Sequence, residues 1–207
     1  SAEKDTKKYA HDIRTAADNL LDLVNEILDT SKIDAAKMEI LPCSYEISTM
    51  LNDLFNMLVI KANSKKLQLV FEIDPEIPSE YYGDDVRIKQ VLVNLLNNAV
   101  KYTDEGTITL QVSCTVEGTN GILHFKVKDT GIGIREEDFD KLFKKFERIE
   151  IEKNRNVEGT GLGLNIASRL LNLMGSSINV KSEYRKGSEF SFDLKQKIVN
   201  IEPMGDL

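Results

Sequence analysis

Two glycine clusters constrain the chain more than any other feature of its sequence. Five of the twelve glycines lie between residues 131 and 163. The first cluster, residues 129–134 (Asp-Thr-Gly-Ile-Gly-Ile), follows an apolar run whose alternation predicts a β-strand. The second, residues 159–164 (Gly-Thr-Gly-Leu-Gly-Leu), leads directly into a helical pattern. Because glycine lets the backbone turn sharply and approach a ligand closely, both segments are candidates for ligand binding.

Asp129 is the candidate hydrogen-bond acceptor of the first cluster. It ends the predicted strand 122–129 on the same face as Leu123, Phe125 and Val127, so its carboxylate points toward the core. A buried carboxylate without a donor is strongly unfavourable, and a ligand amine would satisfy it. The same residues also fit a strand-ending turn capped by the aspartate.

The second cluster is a candidate for phosphate binding. A glycine-rich segment that opens a helix presents free N–H groups and the positive end of the helix dipole. It is not a dinucleotide fingerprint, because no apolar strand precedes it. It is not a P-loop either, because no Lys-Ser or Lys-Thr pair follows its last glycine. A flexible loop before a helix would have the same composition.

A third candidate element lies in the predicted helix 84–103. Asn94, Asn98 and Lys101 share one face of this helix at positions i, i+4 and i+7, opposite an apolar side. Two amide oxygens and a cation on one face could hold a magnesium ion and the phosphates that it bridges. A polar helix face that happens to carry asparagines is the alternative, although asparagine is a mediocre helix former.

The hydrophobic pattern predicts a long first helix followed by an α/β domain. Residues 7–34 carry a heptad stripe (Ile13, Leu20, Ile27), which is typical of a helix that packs against a partner helix. The partner would be a second copy or a segment outside the chain, unless the helix lies on its own domain. The remaining predicted elements are helices at 46–63, 84–103, 136–146 and 162–175, and strands at 67–73, 106–117, 122–129, 177–184 and 188–195. This order predicts a two-layer α/β sandwich with a mixed sheet, preceded by one long helix. The predicted domains are 1–37, 38–195 and a tail or linker at 196–207.

Composition excludes several classes of protein. The net charge of −7 disfavours a chain that coats nucleic acid, and no apolar run approaches the length of a membrane span. The N-terminus lacks the apolar segment of a signal peptide. The two cysteines, Cys43 and Cys114, form neither a disulfide framework nor a metal motif, which favours a reducing compartment. Cys114 is expected in the core and His124 on a solvated strand face.

Together these segments resemble the motifs of sensor histidine kinases. Residues 84–103 resemble the N box, 129–134 the G1 box, 139–146 the F box and 159–164 the G2 box. Residues 187–190 (Gly-Ser-Glu-Phe) resemble the closing glycine turn and strand of that family. The resemblance covers about 38–195 and implies the Bergerat fold of the GHKL ATPases. The heptad helix resembles the second helix of the dimerisation and phosphoacceptor hairpin, and we expect the first helix to lie outside the chain.

The resemblance implies ATP and Mg²⁺ as cofactors and gives the motif residues roles. Asp129 would accept a hydrogen bond from the adenine amino group, with Gly131 and Gly133 leaving room for the purine. Asn98 would coordinate the magnesium ion, and Asn94 would support the phosphates.

The resemblance also implies the residues of the phosphate end of the site. Lys101 and Tyr102 would contact phosphate and ribose. The G2 box, whose members are Gly159, Thr160, Gly161, Leu162 and Gly163, would wrap the phosphates. Residues 147–158 would form a mobile ATP lid. Arg148 resembles the lid arginine that faces the γ-phosphate, although Arg155 lies in the same lid and either could be a solvated charge.

His11 begins a string, His-Asp-Ile-Arg-Thr, that resembles the phosphoacceptor box. Two features oppose this assignment. The proline that follows the threonine in the family is replaced by Ala16, and residues 31–34 follow on the same helix with no room for a hairpin. We therefore predict that His11 is not the phosphoacceptor.

The resemblance implies transfer of the ATP γ-phosphoryl to a histidine of the dimerisation domain, for relay to the aspartate of a response regulator. It further implies a homodimer through the helical hairpin, a cytoplasmic location, membrane attachment only through segments outside the chain, and no nucleic-acid partner. A GHKL clamp that hydrolyses ATP is one alternative, but in such clamps a glutamate that acts as the base for water stands where this chain has Asn94. A non-catalytic nucleotide-binding dimerisation module is the other alternative, and the intact motifs oppose it.

Overall fold

The computed structural model describes residues 2–147 and 160–205, apart from some side chains of the first helix, among them that of His11. The chain divides into two compact units, Ser1–Met38 and Glu39–Leu207. The first unit contains helix α1 (Ala2–Asp34), which begins five residues before the helix predicted at 7–34. Its heptad residues Ile13, Leu20 and Ile27 are 70%, 60% and 52% exposed. No helix among the described residues is long and apolar enough to cross a membrane.

The second unit contains the remaining helices and strands. They are β1 (Cys43–Glu46), α2 (Ile47–Ser64), β2 (Gln68–Ile73), β3 (Pro78–Gly83), α3 (Asp85–Tyr102), β4 (Thr107–Glu117), β5 (Asn120–Asp129), a short 3₁₀ helix (Glu136–Lys141), α4 (Gly163–Leu173), β6 (Asn179–Glu183) and β7 (Gly187–Pro203).

Within the described residues, the strands form one mixed sheet. Its order is β1-β3-β7-β5-β4-β2, and β6 also pairs with β7. Strands β2 and β4 pair in parallel, whereas the other described pairs are antiparallel. The helices α2, α3 and α4 bury their apolar faces. The α/β sandwich with a mixed sheet that the sequence predicts is therefore confirmed.

Cross-strand rows of apolar side chains build the inner face of the sheet. Val112, Phe125 and Phe192 form one such row across β4, β5 and β7, and the two phenylalanine rings stack with centroids 4.9 Å apart. All three side chains are almost fully buried. Burial of each contributes roughly 1.5–3 kcal/mol relative to exposure. The row four residues further along contains Ile108, with Asp129 and Ser188 opposite it, so the apolar face ends in polar groups.

The last strand is longer than the sequence predicts. Strand β7 continues to Pro203, whereas the sequence predicted an end near 195 and a tail or linker from 196 to 207. Tyr81 and Tyr82 of β3 pair with residues 198 and 197. The sequence missed β3, Pro-Ser-Glu-Tyr-Tyr-Gly, because it lacks apolar alternation, and it missed the four-residue β1 as well. Without β3 as a partner, the residues after 195 (Gln-Lys-Ile-Val-Asn-Ile-Glu), which show no regular apolar alternation, gave no reason to extend the final strand.

The helix predicted at 136–146 is a 3₁₀ helix that ends at Lys141. The side chain of Lys141 donates to Oδ1 of Asp138 at 2.8 Å. Residues i and i+3 eclipse one another in a 3₁₀ helix, so this pair favours the tighter geometry. The segment that follows reaches Phe146, which has a positive φ of 61° and is 67% exposed.

Candidate functional site

Helix α3 carries the asparagine face and is held at both ends. Oδ1 of Asp84 accepts from the backbone N–H of Arg87 at 3.0 Å, which caps the first turn. Oδ2 of the same carboxylate accepts from the N–H of Leu41 at 2.8 Å. One aspartate therefore starts α3 and ties it to the segment before β1.

The other end of α3 is capped by Lys65, from the end of α2. Its ammonium group donates to the backbone carbonyls of Val100, Lys101 and Thr103 at 2.8, 3.0 and 3.2 Å. A cation at a helix C-terminus satisfies orphan carbonyls and is favoured by the helix dipole. Sequence reasoning missed Lys65, since the contact spans 35–38 residues along the chain and depends on the packing of α2 against α3.

The three clustered asparagines of α3 separate into two groups. The amide oxygen of Asn97 accepts from Nζ of Lys61 at 3.1 Å, so this residue has a structural partner. Asn94 and Asn98 are half-buried, and no hydrogen bond to a described residue occupies either side chain. Oδ1 of Asn94 lies 3.4 Å from the point where a side chain on Gly163 would begin. The N box thus meets the start of α4 at Asn94.

Lys101 and Tyr102 complete this face at the last turn of α3. The ammonium of Lys101 lies 4.8 Å from the centre of the Tyr102 ring, within cation–π range. Both residues are half-buried. Their proximity places one positive charge beside an aromatic ring at the end of the asparagine face.

Asp129 is buried with its charge partly satisfied. It is 5% exposed. Its Oδ1 accepts from the backbone N–H groups of Gly131 at 2.9 Å and Ser188 at 3.3 Å. Burial raises the pKa of the Asp129 carboxyl, while these two N–H groups and the Ser188 hydroxyl oppose the rise. A carboxylate has about four acceptor positions, so three donors leave capacity for one more. Ser188 was noted in the sequence only as part of a closing turn, and its role beside Asp129 follows from the strand register.

The turn of the G1 box packs against the end of α3. The N–H of Ile132 donates to the carbonyl of Tyr102 at 3.1 Å. A side chain on Gly131 would begin 2.3 Å from that same carbonyl oxygen, so no other residue fits there. Gly133 has a φ of +66°, and a side chain on it would begin 2.1 Å from the carbonyl oxygen of Glu183. Both glycines are required by close backbone approach.

The described part of the G2 box lies against the end of the F box. Gly161 has a φ of +74°, and a side chain there would begin 2.9 Å from the carbonyl oxygen of Glu147. Oγ1 of Thr160 accepts from the N–H of Leu162 at 3.0 Å, and Leu162 is almost fully buried. The amide of Asn165, in the first turn of α4, donates to the carbonyl of Phe143 at 2.6 Å. The N-terminus of α4 is therefore anchored to the F box.

The structure brings Asn94 next to Gly163 and the end of α3 next to the G1 box. Residues 148–159 lie outside the described residues, so the assignments of Arg148, Arg155 and Gly159 stay predictions, as does the lid beyond residue 147.

Cys114 and His124, to which the sequence assigned no functional role, lie in different surroundings. Cys114 is half-buried and accepts from the Tyr81 hydroxyl at 3.3 Å, and burial raises the pKa of its thiol. His124 contacts Asp193 at 2.7 Å and Thr115 at 3.0 Å on the exposed sheet face.

A family model described as histidine kinase-, DNA gyrase B-, and HSP90-like ATPase matches residues 83–198. These residues contain every motif of the site described above. The chain belongs to this family.

Curated relatives of the chain are histidine kinases. Hybrid signal transduction histidine kinase B of Dictyostelium discoideum is 40% identical over 94% of this chain and 10% of its own length. Sensor protein GacS of Pseudomonas syringae pv. syringae is 39% identical over 90% of this chain and 21% of its own length. Signal transduction histidine-protein kinase BarA of Escherichia coli (strain K12) is 33% identical over 91% of this chain and 21% of its own length. The chain thus spans between 10% and 21% of the length of these relatives.

Solved structures show the same fold. Full-length ShkA in complex with AMPPNP matches with a TM-score of 0.78 and 29% identity, over 94% of this chain and 39% of that one. The catalytic domain of histidine kinase ThkA, in a nucleotide-free form, matches with a TM-score of 0.59 and 25% identity. It covers 77% of this chain and 99% of its own.

Proposed function

We propose that this chain is the ATP-binding catalytic core of a sensor histidine protein kinase. It transfers the γ-phosphoryl of ATP to a histidine of the dimerisation domain, for relay to a response-regulator aspartate. The observation that carries the proposal is the buried Asp129 carboxylate, which keeps acceptor capacity beside a turn that only glycine can form. The curated relatives of the chain are sensor and hybrid histidine kinases, which supports the same conclusion.

Each element of the site has a part in this function. Asp129 accepts from the adenine amino group and orients the base. The N-terminus of α4 offers backbone N–H groups to the phosphates, with Gly161 and Gly163 allowing close approach. Lys101 balances phosphate charge, with Tyr102 beside it, and Asn94 positions the phosphates. Phosphoryl transfer depends mostly on such positioning and charge stabilisation, so these neutral and cationic groups suffice.

The donor set suits a magnesium ion that is shared with phosphate oxygens. The described residues contain no group of three or more His, Cys, Asp or Glu that could hold a metal by itself. Asn98 offers a free amide oxygen, which is a ligand type that magnesium accepts alongside water and phosphate. A magnesium ion bound there would offset phosphate charge. We place it on Asn98.

Asn94 favours transfer over hydrolysis. Its amide cannot act as a general base, whereas an ATP-hydrolysing clamp would need a carboxylate at this place to activate water. We further propose that the protein functions in the cytoplasm as a homodimer through the helical hairpin, with a receiver domain as its phosphoryl acceptor.

Calorimetric titration with ATP and Mg²⁺ tests the binding step. We expect Asp129→Asn to weaken ATP binding by about 1–3 kcal/mol, roughly five- to 150-fold, because the amide can present a donor to the adenine amino group. Asp193→Asn is the matched control, since Asp193 is 65% exposed and contacts His124 instead. Equal affinity of Asp129→Asn and the unchanged chain would refute the assignment.

A phosphotransfer assay tests the catalytic step. The chain would be joined to a first hairpin helix that carries the acceptor histidine, and then incubated with γ-labelled ATP. We expect acid-labile phosphate on that helix. ATP hydrolysis without phosphohistidine would indicate the clamp alternative, and no nucleotide binding would indicate a non-catalytic module.

A further inference from the structure

Asn165 lies where the F box meets the start of α4, and the motifs leave it without a role. It is the third residue of α4 (Gly163–Leu173). Its amide nitrogen donates to the backbone carbonyl of Phe143 at 2.6 Å, across 22 residues of chain. Because a carbonyl oxygen can only accept, this contact determines which end of the amide faces the F box.

The other end of the same amide is unsatisfied. Oδ1 of Asn165 is buried and has no hydrogen-bond partner in the part of the chain that the structure describes. A buried amide oxygen in this state costs free energy. An apolar side chain of similar volume would avoid that cost, so stability alone does not explain an asparagine here. The bond to Phe143 is what an apolar side chain could not supply.

A second contact joins the same two segments. Gly161 has a φ of +74°, and a side chain there would begin 2.9 Å from the carbonyl oxygen of Glu147 and 3.1 Å from the carbonyl carbon of Phe146. Phe146 itself has a φ of 61°, which is uncommon for a residue with a bulky side chain. Such strain persists only where the surrounding structure holds the backbone, and it is concentrated at functional sites. Residues 143–147 and 161–165 are therefore held together at two separate points.

The first turn of α4 depends on this attachment. Leu162, which precedes the helix, provides no side-chain cap for the leading N–H groups. Helix ends without such support fray readily. Further along the helix, Ile166 and Leu170 are fully buried and hold its apolar face. The bond from Asn165 to Phe143 adds a fixed point within the first turn itself.

We propose that Asn165 is a positioning residue for the phosphate end of the nucleotide. The inference rests on the proposed ATP-binding function, in which the N–H groups at the start of α4 contact the phosphates. A hydrogen bond depends on the direction of its donor as well as on distance, so a turn held in one place binds phosphate more tightly than one that moves. Asn165 acts through this turn, by holding it against the F box.

A positioning role has a signature that separates it from nucleotide binding in general. Adenosine presents a base and a ribose but no phosphate, so the placement of the first turn of α4 should not affect its affinity. ATP presents three phosphates and should bind more weakly when the turn is released. The ratio of the two affinities therefore reports on the phosphate end alone.

The experiment measures the affinities of ATP with Mg²⁺ and of adenosine for the unchanged chain and for Asn165→Leu, which keeps a similar volume and removes the amide. We expect ATP binding to weaken by about three- to tenfold, the effect of one hydrogen bond, and adenosine binding to stay within about twofold. Asn172→Leu is the matched control, since Asn172 is exposed on the same helix, and it should change neither affinity. If adenosine bound too weakly to measure, AMP would replace it and should lose less affinity than ATP.

Thermal unfolding without nucleotide separates positioning from a structural role. The melting temperature of Asn165→Leu should lie within about 3 °C of that of the unchanged chain, because removal of the unpaired oxygen offsets loss of the bond to Phe143. Asn165→Ala removes the same amide without adding a branched side chain. It should show the same selective loss of ATP affinity, and it carries the comparison if Asn165→Leu does not fold.

Each result decides the proposal. Unchanged ATP affinity in Asn165→Leu, or an equal loss for ATP and adenosine, would overturn the positioning role while leaving ATP binding intact. A larger fall in melting temperature in both variants would assign the contact to stability and overturn the role as well. Failure of the unchanged chain to bind ATP would instead refute the proposed function itself.

Discussion

The backbone N–H of Ser188 donates to Oδ1 of Asp129 at 3.3 Å, although 59 residues separate the two along the chain. The contact joins the end of β5 to the beginning of β7, where the two residues are cross-strand partners. It fills one acceptor position of the carboxylate from the sheet side. The position of the proposed adenine contact is therefore determined by sheet register rather than by the G1 turn alone.

The buried carboxylate of Asp129 predicts a specific dependence of stability on pH. Its usual pKa is 3.8, and burial raises that pKa in the folded protein. At a pH between the pKa of Asp129 in the unfolded chain and its raised pKa in the folded protein, the folded protein binds more protons than the unfolded chain. The contribution of Asp129 to the free energy of unfolding therefore falls as pH rises through this range and stays lower above it.

Urea unfolding at a series of pH values, for the unchanged chain and Asp129→Asn without nucleotide, measures this effect. The stability of the unchanged chain relative to Asp129→Asn should decrease as pH rises above 3.8. An increase over that range would show that hydrogen bonding outweighs burial at this carboxyl.

Gly133 and Gly118 form a matched pair for testing the G1 turn. Both have a positive φ, +66° and +61°, but a side chain on Gly133 would meet the carbonyl of Glu183 whereas Gly118 has open space. We expect Gly118→Ala to cost about 1 kcal/mol, the penalty for the left-handed conformation. Gly133→Ala should cost roughly 2–4 kcal/mol, because a steric clash is added.

Chemical denaturation of both variants gives these values, and ATP titration gives the functional effect. Gly133→Ala should also weaken ATP binding, whereas Gly118→Ala should not. Equal destabilisation by the two substitutions would mean that the close approach to Glu183 is not limiting.

Lys65 should matter for both stability and nucleotide binding. Lys65→Met keeps most of the side-chain length but removes the ammonium group, which donates hydrogen bonds to three carbonyls at the end of α3. We expect a loss of about 1 kcal/mol in stability, since a charged helix cap is removed. ATP should bind more weakly, because Lys101, Tyr102 and Thr103 lie at that helix end.

Lys66→Met is the control for this substitution, since Lys66 is the adjacent exposed lysine. Denaturation midpoints and calorimetric ATP affinities of both variants check the prediction. A loss of affinity of the same size in Lys66→Met would indicate that net charge, not the helix cap, is responsible.

His11 should not become phosphorylated. Transfer requires the acceptor nitrogen in line with the γ-phosphate, and the proposed hairpin arrangement gives that position to the first helix of the hairpin. The heptad pattern of the sequence predicts an f position for His11, so predicted exposure does not by itself exclude it as an acceptor. Incubation with labelled ATP should give no acid-labile phosphate at position 11.

His11→Ala should accordingly leave labelling and ATP affinity unchanged. A phosphohistidine mapped to His11 would contradict the assignment of residues 1–37 to the second helix of the hairpin. It would make His11 and Asp12 an acceptor and its neighbouring base.

The local parts of the site were predictable from the sequence, and the non-local parts were not. Strand alternation predicted that Asp129 faces inward, and the structure has it buried. Helical spacing placed Asn94 and Asn98 on one face, but it gave no means of knowing that Asn97 has Lys61 as a partner. That contact depends on how α2 packs against α3.

The same limit explains the elements that were missed. Strand β3 has no apolar alternation, and its place in the sheet is set by backbone pairing with β1 on one side and β7 on the other, which the sequence does not reveal. Thr103 is the last residue of the N box, so its position was visible in the sequence. Its buried and unpaired hydroxyl became evident only once the G1 turn was folded against α3.

The position of β7 has a consequence for the order in which the molecule assembles. It follows every other described strand in the chain, yet it lies between β3 and β5 in the sheet. During synthesis, β3 and β5 emerge from the ribosome without the strand that joins them, and both keep an unpaired edge. Such distant pairings slow folding and leave strand edges open to aggregation until they are made. Because Ser188 lies on β7, this partner of Asp129 is synthesised after β5, and the nucleotide site becomes complete only once β7 has emerged and paired.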